Sequence, residues 1–230
     1  MKRRLTLSLL LCALVLGAAT AEPLSAWFAT SAAARAYEPI RGELSSILAD
    51  AGERGVPLEL MMTRIAEGAE KRVAPGKLIL ALRKDLDNYT LVKSMISGTS
   101  PGTALTKEWP DLLARGGMAL RSGMDAATFE NVLLTSTAKA VDTRRVMDAL
   151  ITVAAVDSRM PLGGEGKRAL AVSLACSTEK EARFSLLSSL FLRGKSGKLG
   201  TRDLVAITVS TLDSGGGFLQ LENEITRRLK

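Results

Sequence analysis

Hydrophobic residues recur along most of this chain with the spacing of amphipathic helices. After Pro57, for example, Leu60, Met61, Ile65 and Ala69 fall on one helical face, and charged residues lie between them. Such spacing turns apolar side chains toward a core and polar ones toward solvent. Comparable stripes run through Leu78, Leu82, Leu86 and Tyr89, through Phe129, Leu133 and Leu134, and through Val146, Leu150 and Val153.

Glycine and proline fall mainly between the periodic stretches, and no long alternation of apolar and polar residues is present. Alternation bounded by hairpin turns would predict strands. Aromatic residues, which favour strands, make up only 4% of the chain. The pattern therefore predicts an all-α protein of about nine or ten helices.

The chain also resembles itself. Residues 55–82 align without gaps on residues 123–150, and Gly55, Lys71, Val73, Ala81 and Leu82 are identical to the residues 68 positions later. We predict stacked three-helix units over 40–97, over 108–158 and, more faintly, over 178–230. Units of this kind bury their apolar faces against each other. The prediction is a helical-repeat or orthogonal-bundle architecture in a single domain, 22–230.

The first 21 residues have the organisation of a secretory signal peptide. Lys2, Arg3 and Arg4 precede an apolar run over residues 5–19, and the small residues Ala19 and Ala21 suit a signal peptidase. We predict cleavage after Ala21 and export, to a bacterial periplasm. The apolar run is shorter than the roughly 20 residues that span a bilayer, although an uncleaved anchor is the alternative.

Removal of that segment changes the charge of the protein. The full chain has 31 Lys and Arg against 24 Asp and Glu, a net charge of +7. Three of the cations and none of the acids lie in the first 21 residues, so 28 cations and 24 acids remain. This small excess, on an exported protein, predicts no nucleic-acid partner.

The chain contains no histidine and only two cysteines, Cys12 and Cys176. These counts exclude histidine-based catalytic triads, imidazole acid–base pairs and zinc sites built on His or several Cys, and we predict no metal and no cofactor. Only Cys176 would remain after cleavage, so no intramolecular disulfide could form. Cys176 follows the apolar run 169–175, which predicts a small core residue, with a disulfide-linked dimer as the alternative.

One segment resembles known proteins. Gly55-Val56-Pro57, followed by Leu60, Arg64, Ile65, Glu67-Gly68 and Lys71, resembles a G-V-P…R-I-x-E-G-x-x-K pattern of uncharacterised exported bacterial α-helical proteins. The resemblance covers about 30 residues and implies a helical fold. It implies no activity.

Three glycine-containing stretches resemble catalytic or phosphate-binding loops without their defining residues. Residues 163–167 and 194–198 lack the earlier Gly of a P-loop and the Ser or Thr that follows its Lys. Residues 98–102 match the G-x-S-x-G pattern, but the chain has no histidine base and Pro101 has no N–H for an oxyanion hole. All three stretches are predicted to be connecting loops.

Two groups of residues are candidate partner contacts. Arg193, Lys195, Lys198 and Arg202 form a basic cluster that could bind an anionic surface, either phospholipid headgroups or an acidic protein, with a solvated loop as the alternative. Trp27 and Phe28 follow the predicted cleavage site. This aromatic pair predicts either a first helix docked on the core or an exposed arm that contacts a partner or a membrane.

Carboxylate catalysis is the enzyme chemistry that the absence of histidine leaves open. Glu67 and Glu70, or Glu108 with Asp111, could serve a glycan-cleaving enzyme if one acid were held protonated. Acids beside Lys and Arg on helices are more often ion-pair partners. The sequence therefore favours a non-enzymatic exported binding or scaffold protein that contacts another envelope protein. An acid-based glycan enzyme and, given the abundant methionines, a carrier of apolar ligands are the alternatives.

Overall fold

A computed structural model describes residues 23–99 and 107–230, and all regular secondary structure within these ranges is helical. The prediction of an all-α fold is therefore confirmed. Residues 23–30 form the first helix, α1. The other helices are α2 Arg41–Glu53, α3 Leu58–Glu70, α4 Pro75–Thr99, α5 Trp109–Arg121, α6 Ala126–Thr137, α7 Thr143–Asp157, α8 Gly163–Cys176, α9 Leu186–Ser196, α10 Thr201–Asp213 and α11 Phe218–Arg228, with 3₁₀ segments at Ala32–Ile40 and Glu181–Arg183.

The described residues form two compact units, one ending at Thr90 and one beginning at Leu91, and the boundary falls within α4. The predicted signal peptide, 1–21, lies outside the described residues, as does most of the G-x-S-x-G match. In the described ranges, no helix combines the length and the apolar character needed to cross a membrane.

In the first unit, α2, α3 and the 3₁₀ segment Ala32–Ile40 pack on one another. The Tyr37 hydroxyl, from the 3₁₀ segment, donates a hydrogen bond of 2.7 Å to the Val73 carbonyl oxygen. Arg64 on α3 pairs with the buried Asp85 on α4, with 2.8 Å between Nε and Oδ2. In the second unit α7 is central, because it packs against α5, α6, α8 and α9.

Six connections between helices share one backbone geometry, here called a corner. At each corner a residue with positive φ follows the helix, and the N–H of the next residue bonds to the carbonyl oxygen five residues earlier, as in a Schellman motif. The positive-φ residues are Gly55, Arg72, Gly123, Ala140, Lys198 and Gly215. The bonds join Val56 to Ala51, Val73 to Gly68, Met124 to Ala119, Val141 to Ser136, Leu199 to Gly194 and Gly216 to Thr211.

The corners form three pairs, and in each pair the two positive-φ residues are 17 residues apart. One pair lies in each of the stretches 40–97, 108–158 and 178–230. The residue whose carbonyl accepts the bond is small at every corner, being Ala, Gly, Ser or Thr. The residue six positions after the positive φ is buried at every corner: Met61, Leu78, Phe129, Val146, Leu204 and Leu221.

The small residue at a corner lets the next helix cross close above it. A Cβ atom added to Gly68 would lie 2.5 Å from a Leu78 methyl carbon, and one added to Gly194 would lie 2.3 Å from a Leu204 methyl carbon. Real side chains do not approach so closely, so each leucine occupies the space that a larger residue would need. The internal sequence similarity thus corresponds to one recurring way of turning a corner.

Asp125 and Asp142 cap the helices that follow two of these corners. Asp125 Oδ1 accepts a hydrogen bond of 2.8 Å from the Thr128 N–H, and Oδ2 accepts one of 2.7 Å from Lys167 Nζ. Burial acts to raise the pKa of Asp125, but the bonds from Lys167 and Thr128 outweigh it and lower the pKa to about 2.

The Asp125→Asn substitution should therefore cost stability in a pH-dependent way. The folded-state pKa lies below the ordinary value near 3.9, so the ionic stabilisation is complete above that pH and disappears as the pH falls through about 2. Because the side chain is half exposed, screening reduces the ionic contribution to about 1 kcal/mol. Urea unfolding at pH 7 and pH 2 should show the difference from wild type shrinking at low pH. Asp142→Asn is the control, because the described contacts of this cap include no lysine. If its loss of stability depended on pH as strongly as that of Asp125→Asn, this account would be contradicted.

The predictions for Cys176 and for the stretches 163–167 and 194–198 are wrong. Cys176 is exposed rather than in the core, because it is the last residue of α8 and Leu174 and Ala175 take the buried side. Residues 163–167 form the first turn of α8 rather than a loop. Lys167 in that turn forms an ion pair with Asp125. Residues 194–196 continue α9, because Gly194 packs under α10.

Candidate binding surface

One arginine organises the connection between α8 and α9. Arg145 lies in the first turn of α7, and its side chain is only 16% exposed. Its guanidinium donates hydrogen bonds to the carbonyl oxygens of Ala175 at 2.7 Å, Ser177 at 2.6 Å and Glu179 at 2.7 Å. The guanidinium carbon also lies 5.1 Å from the centre of the Phe184 ring. A single guanidinium therefore fixes the connection, because three carbonyl oxygens of the connection accept its hydrogen bonds.

The same connection holds the start of α11. Glu179 is buried, and its Oε2 accepts a hydrogen bond of 2.7 Å from the Phe218 N–H, the first N–H of α11. Its Oε1 accepts bonds from Arg183 Nη1 at 3.0 Å and from the Lys180 N–H at 3.2 Å. A carboxylate at a helix N-terminus satisfies an orphan donor and interacts favourably with the helix dipole. Glu179 thus fixes where α11 begins relative to α9.

Between α9 and α11 lies a notch of about 260 Å³. Its floor is apolar and buried, and consists of Leu190 from α9 and Phe218 from α11. Leu186 and Leu219 stand at its rim, and Leu219 is 65% exposed. An apolar depression flanked by exposed leucines is unusual on a free surface and is typical of a contact site.

Two arginines lie beside this notch, and one of them was predicted as a partner contact. Arg193 pairs with Glu222 across the notch, and its Nη2 lies 3.3 Å from the Thr226 hydroxyl oxygen. Arg183 also lines the notch and is paired with Glu179. Each guanidinium is paired with a carboxylate, and each side chain is about half exposed, so both also face solvent.

The other three basic candidates surround the corner between α9 and α10. Lys195 is in the last turn of α9, Lys198 is the positive-φ residue and Arg202 is in the first turn of α10. All three are exposed, and none makes an ion pair with another described residue. The structure therefore separates the predicted cluster into Arg193 at the notch and three cations at the corner.

Trp27 and Phe28 lie in the first unit and are half buried. Their rings meet edge to face at 4.9 Å, and the Trp27 ring is 6.3 Å from that of Tyr37. The guanidinium of Arg41 lies 4.9 Å from the centre of the Phe28 ring. The aromatic pair is thus packed on neighbouring residues of its own unit, as a docked first helix requires.

The candidate catalytic acids do not form a catalytic pair. Glu67 is paired with Arg64, and Asp111 is paired with Arg115 at 2.8 Å. Glu108 is exposed just before α5. Each engaged carboxylate is therefore an ion-pair partner, as acids beside basic residues on helices commonly are. The remaining candidate, Glu70, lines a groove in the first unit beside two cations, Arg35 and Arg72.

The carboxyl groups with displaced pKa values are all displaced downward. A hydrogen bond from Arg145 lowers the pKa of Glu181, and hydrogen bonds from Arg227 and Arg228 lower that of Glu224 to about 2. Asp125 is lowered as well. A general acid in glycan cleavage needs the opposite displacement, which holds it protonated near neutral pH.

Most of the methionines are core residues. Met61, Met95, Met124, Met147 and Met160 are all buried among helices. They fill gaps between larger side chains, which is the ordinary role of methionine in a helical core. In the described ranges, no group of three or more Cys, Asp or Glu side chains is placed to hold a metal ion.

Comparison with other proteins adds nothing to this picture. No family model, curated protein or solved structure matches this chain. The resemblance that begins at Gly55-Val56-Pro57 stays a prediction. The surface itself must therefore indicate what the protein binds.

The notch was not predicted from the sequence, although a signal was present. Leu186-Leu187 and Phe218-Leu219 are adjacent apolar pairs at the starts of helices. Neighbouring helix positions point about 100° apart, so both members of such a pair seldom face the same core. Two such pairs, on helices that pack together, indicate exposed apolar surface.

Proposed function

We propose that this protein is an exported, non-enzymatic binding module that takes a helical segment of another envelope protein into the notch between α9 and α11. The observation that carries the proposal is the apolar floor, Leu190 and Phe218, between two exposed leucines, Leu186 and Leu219. In protein interfaces, a few apolar anchors seated in such depressions supply most of the binding free energy.

The size of the notch favours a side-chain anchor over a small-molecule ligand. Its volume of about 260 Å³ is below the roughly 300–1,000 Å³ of typical ligand pockets. Amphipathic helices bind grooves through apolar anchors one turn apart. A leucine, methionine or phenylalanine of the partner would enter the notch, and its next apolar turn would lie on Leu219 or Leu186.

The charge around the notch favours acidic residues beside that anchor. The charged residues that line the notch are two cations, Arg183 and Arg193, and one acid, Glu222. Arg193 uses Nη1 and Nη2 on Glu222 and Thr226, and Arg183 uses Nη1 on Glu179. A guanidinium has five N–H donors, so both arginines retain donors for carboxylates of a partner. Complementary charge would also speed encounter.

Export and the lack of enzymatic activity are supported by other features of the chain. Residues 1–21 have the three regions of a signal peptide. The chain has no histidine, and its displaced carboxyl pKa values are lowered rather than raised. An acid-based glycan enzyme therefore has less support than a binding module.

The Leu219→Glu substitution should weaken partner binding by about 30-fold or more. It places a carboxylate at the rim of an apolar contact, where the partner would desolvate it without supplying a hydrogen bond, and an unsatisfied charged group costs at least about 2 kcal/mol. The probe is a displayed library of randomised 16-residue amphipathic helices selected on the wild-type protein, followed by fluorescence titration of the enriched peptides. We expect those peptides to carry one large apolar anchor flanked by Asp or Glu.

Leu80→Glu is the matched control. Leu80 is a helical leucine of the first unit, and it is 70% exposed against 65% for Leu219. Leu80→Glu should leave the affinity unchanged. Enriched peptides that bind both variants equally, or that lack an apolar anchor, would rule out the notch as the site. Self-association of the wild-type protein that Leu219→Glu abolishes would show that a second copy occupies the notch, and would also overturn the proposal.

A further inference from the structure

The corner between α9 and α10 presents cations from three successive pieces of chain. Lys195 comes from the end of α9, Lys198 from the corner itself and Arg202 from the start of α10, and all are exposed. The Leu229 side chain packs on Gly197, where an added Cβ would lie 2.2 Å from a Leu229 methyl carbon. The end of α11 thus lies beside this corner.

Lys198 occupies a backbone conformation that costs stability. Its φ is 72°, whereas the equivalent positions of three other corners carry glycine. A side chain in the left-handed region is strained, and glycine relieves that strain. Arg72 and Ala140 have the same conformation at two other corners, so the geometry of the corner imposes it, and at this corner the residue that occupies it is an exposed lysine.

An exposed leucine accompanies the cations. Leu192 is about two-fifths exposed and lies one turn before Lys195 on the outer face of α9. Residues three apart on a helix share a face. Lysine and arginine stems can lie along an apolar boundary while their charges reach headgroups, and a neighbouring leucine can enter that boundary.

The geometry points to a new binding site: we propose that Leu192, Lys195, Lys198 and Arg202 form a patch that binds the surface of an anionic phospholipid bilayer. Exposed lysine and arginine side chains respond to charge density and need no complementary shape, which suits a lipid surface. The apolar floor that a protein partner needs lies instead in the notch. The neighbouring acid, Asp203, lines a groove formed by α10 and α11, and its carboxylate lies beside Gly200 of the same corner, so the corner carries three cations against one acid. This patch shares no residue with the notch, so the two proposals are independent.

The test is a vesicle flotation assay. The full chain is expressed in a bacterial host that exports it, and the protein is purified whether or not the host has removed residues 1–21. Vesicles of phosphatidylcholine with 30% phosphatidylglycerol are compared with pure phosphatidylcholine. The variant is Lys195→Gln/Lys198→Gln/Arg202→Gln. Each cation near an anionic surface contributes about fivefold in partitioning, so the triple variant should bind anionic vesicles about 100-fold less well.

The control removes the same charge elsewhere. Lys77, Arg83 and Lys84 are exposed on α4 in the first unit, and Lys77→Gln/Arg83→Gln/Lys84→Gln should retain wild-type binding. Equal losses of vesicle binding in the two triple variants would show an effect of net charge alone and would contradict the proposed patch. Equal binding of the wild type to neutral and to anionic vesicles would contradict it as well. Binding of the wild type to polyglutamate but not to anionic vesicles would assign the patch to an acidic protein instead.

A single substitution separates binding from folding. Lys198→Gly should raise the melting temperature, because it relieves the positive φ, and should lower vesicle binding about fivefold. Ala140→Gly, at the equivalent position of another corner, should also raise the melting temperature and leave vesicle binding unchanged. A Lys198→Gly protein that binds like the wild type would contradict the proposal. Leu219→Glu should bind vesicles normally, which distinguishes failure of the patch from failure of the notch.

Discussion

Replacing Arg145 with alanine should lower the free energy of unfolding by about 3–5 kcal/mol, the range observed when one partner of a buried charged network is removed. The guanidinium satisfies three carbonyl oxygens of the connection between α8 and α9. Without it, Ala175, Ser177 and Glu179 lose those bonds in a poorly solvated region, and each unsatisfied acceptor costs about 1 kcal/mol or more. Urea unfolding followed by circular dichroism measures the loss.

The adjacent residue provides a matched control. Arg144 is 52% exposed, and its Nε lies 3.4 Å from an Asp111 carboxylate oxygen. An exposed ion pair contributes about 0–1 kcal/mol, so Arg144→Ala should unfold almost as the wild type does. The two variants change the same residue type at neighbouring positions of one helix, and therefore have the same helix propensity and net charge. Similar losses in both would show that Arg145 has no special structural role.

Replacing Glu179 with alanine should cost about 2–3 kcal/mol, because the Phe218 N–H at the start of α11 would lose its acceptor in a buried site. The carboxylate also accepts bonds from Arg183 and from the Lys180 N–H. Because Phe218 forms part of the floor of the notch, the same substitution should weaken binding of the selected peptides as well. Thermal unfolding and peptide titration of one preparation measure both effects.

Two further variants define the role of Glu179. Glu179→Gln keeps an acceptor for the Phe218 N–H and should recover part of the stability and most of the peptide affinity. Glu181→Ala removes an exposed carboxylate that pairs with Arg145 and should cost less than 1 kcal/mol. If Glu179→Ala reduced peptide affinity no more than Glu181→Ala, the position of α11 would not depend on Glu179.

The local features of the fold could be read from the sequence because they depend on neighbouring residues. Gly55 and Gly123 mark corners, since glycine adopts positive φ without strain, and both have positive φ. Asp125 and Asp142 cap the following helices through bonds to backbone N–H groups three residues on. Hydrophobic periodicity predicted the all-α class for the same reason. Each of these features is determined within about one or two helical turns.

Features that depend on distant residues could not be read in this way. Lys198 and Arg72 have positive φ although neither is glycine, because the small residue before the corner and the helix after it fix the backbone. Leu134 was predicted on a buried stripe and is half exposed, because no helix covers that side of α6 in the described chain. Cys176 is exposed for a similar reason, because α8 ends at this residue.

Some features of the candidate surface follow from the sequence alone, and others follow only from the tertiary structure. The sequence alone determined the basic cluster, since the positions of Arg193, Lys195, Lys198 and Arg202 are close along the chain. Only the tertiary structure turned Arg193 toward Glu222 and left Leu219 exposed above Phe218. Arg145 and Glu179 decided that arrangement through bonds to residues 30 or more positions away, and pairing over such separations follows from packing rather than from local preference.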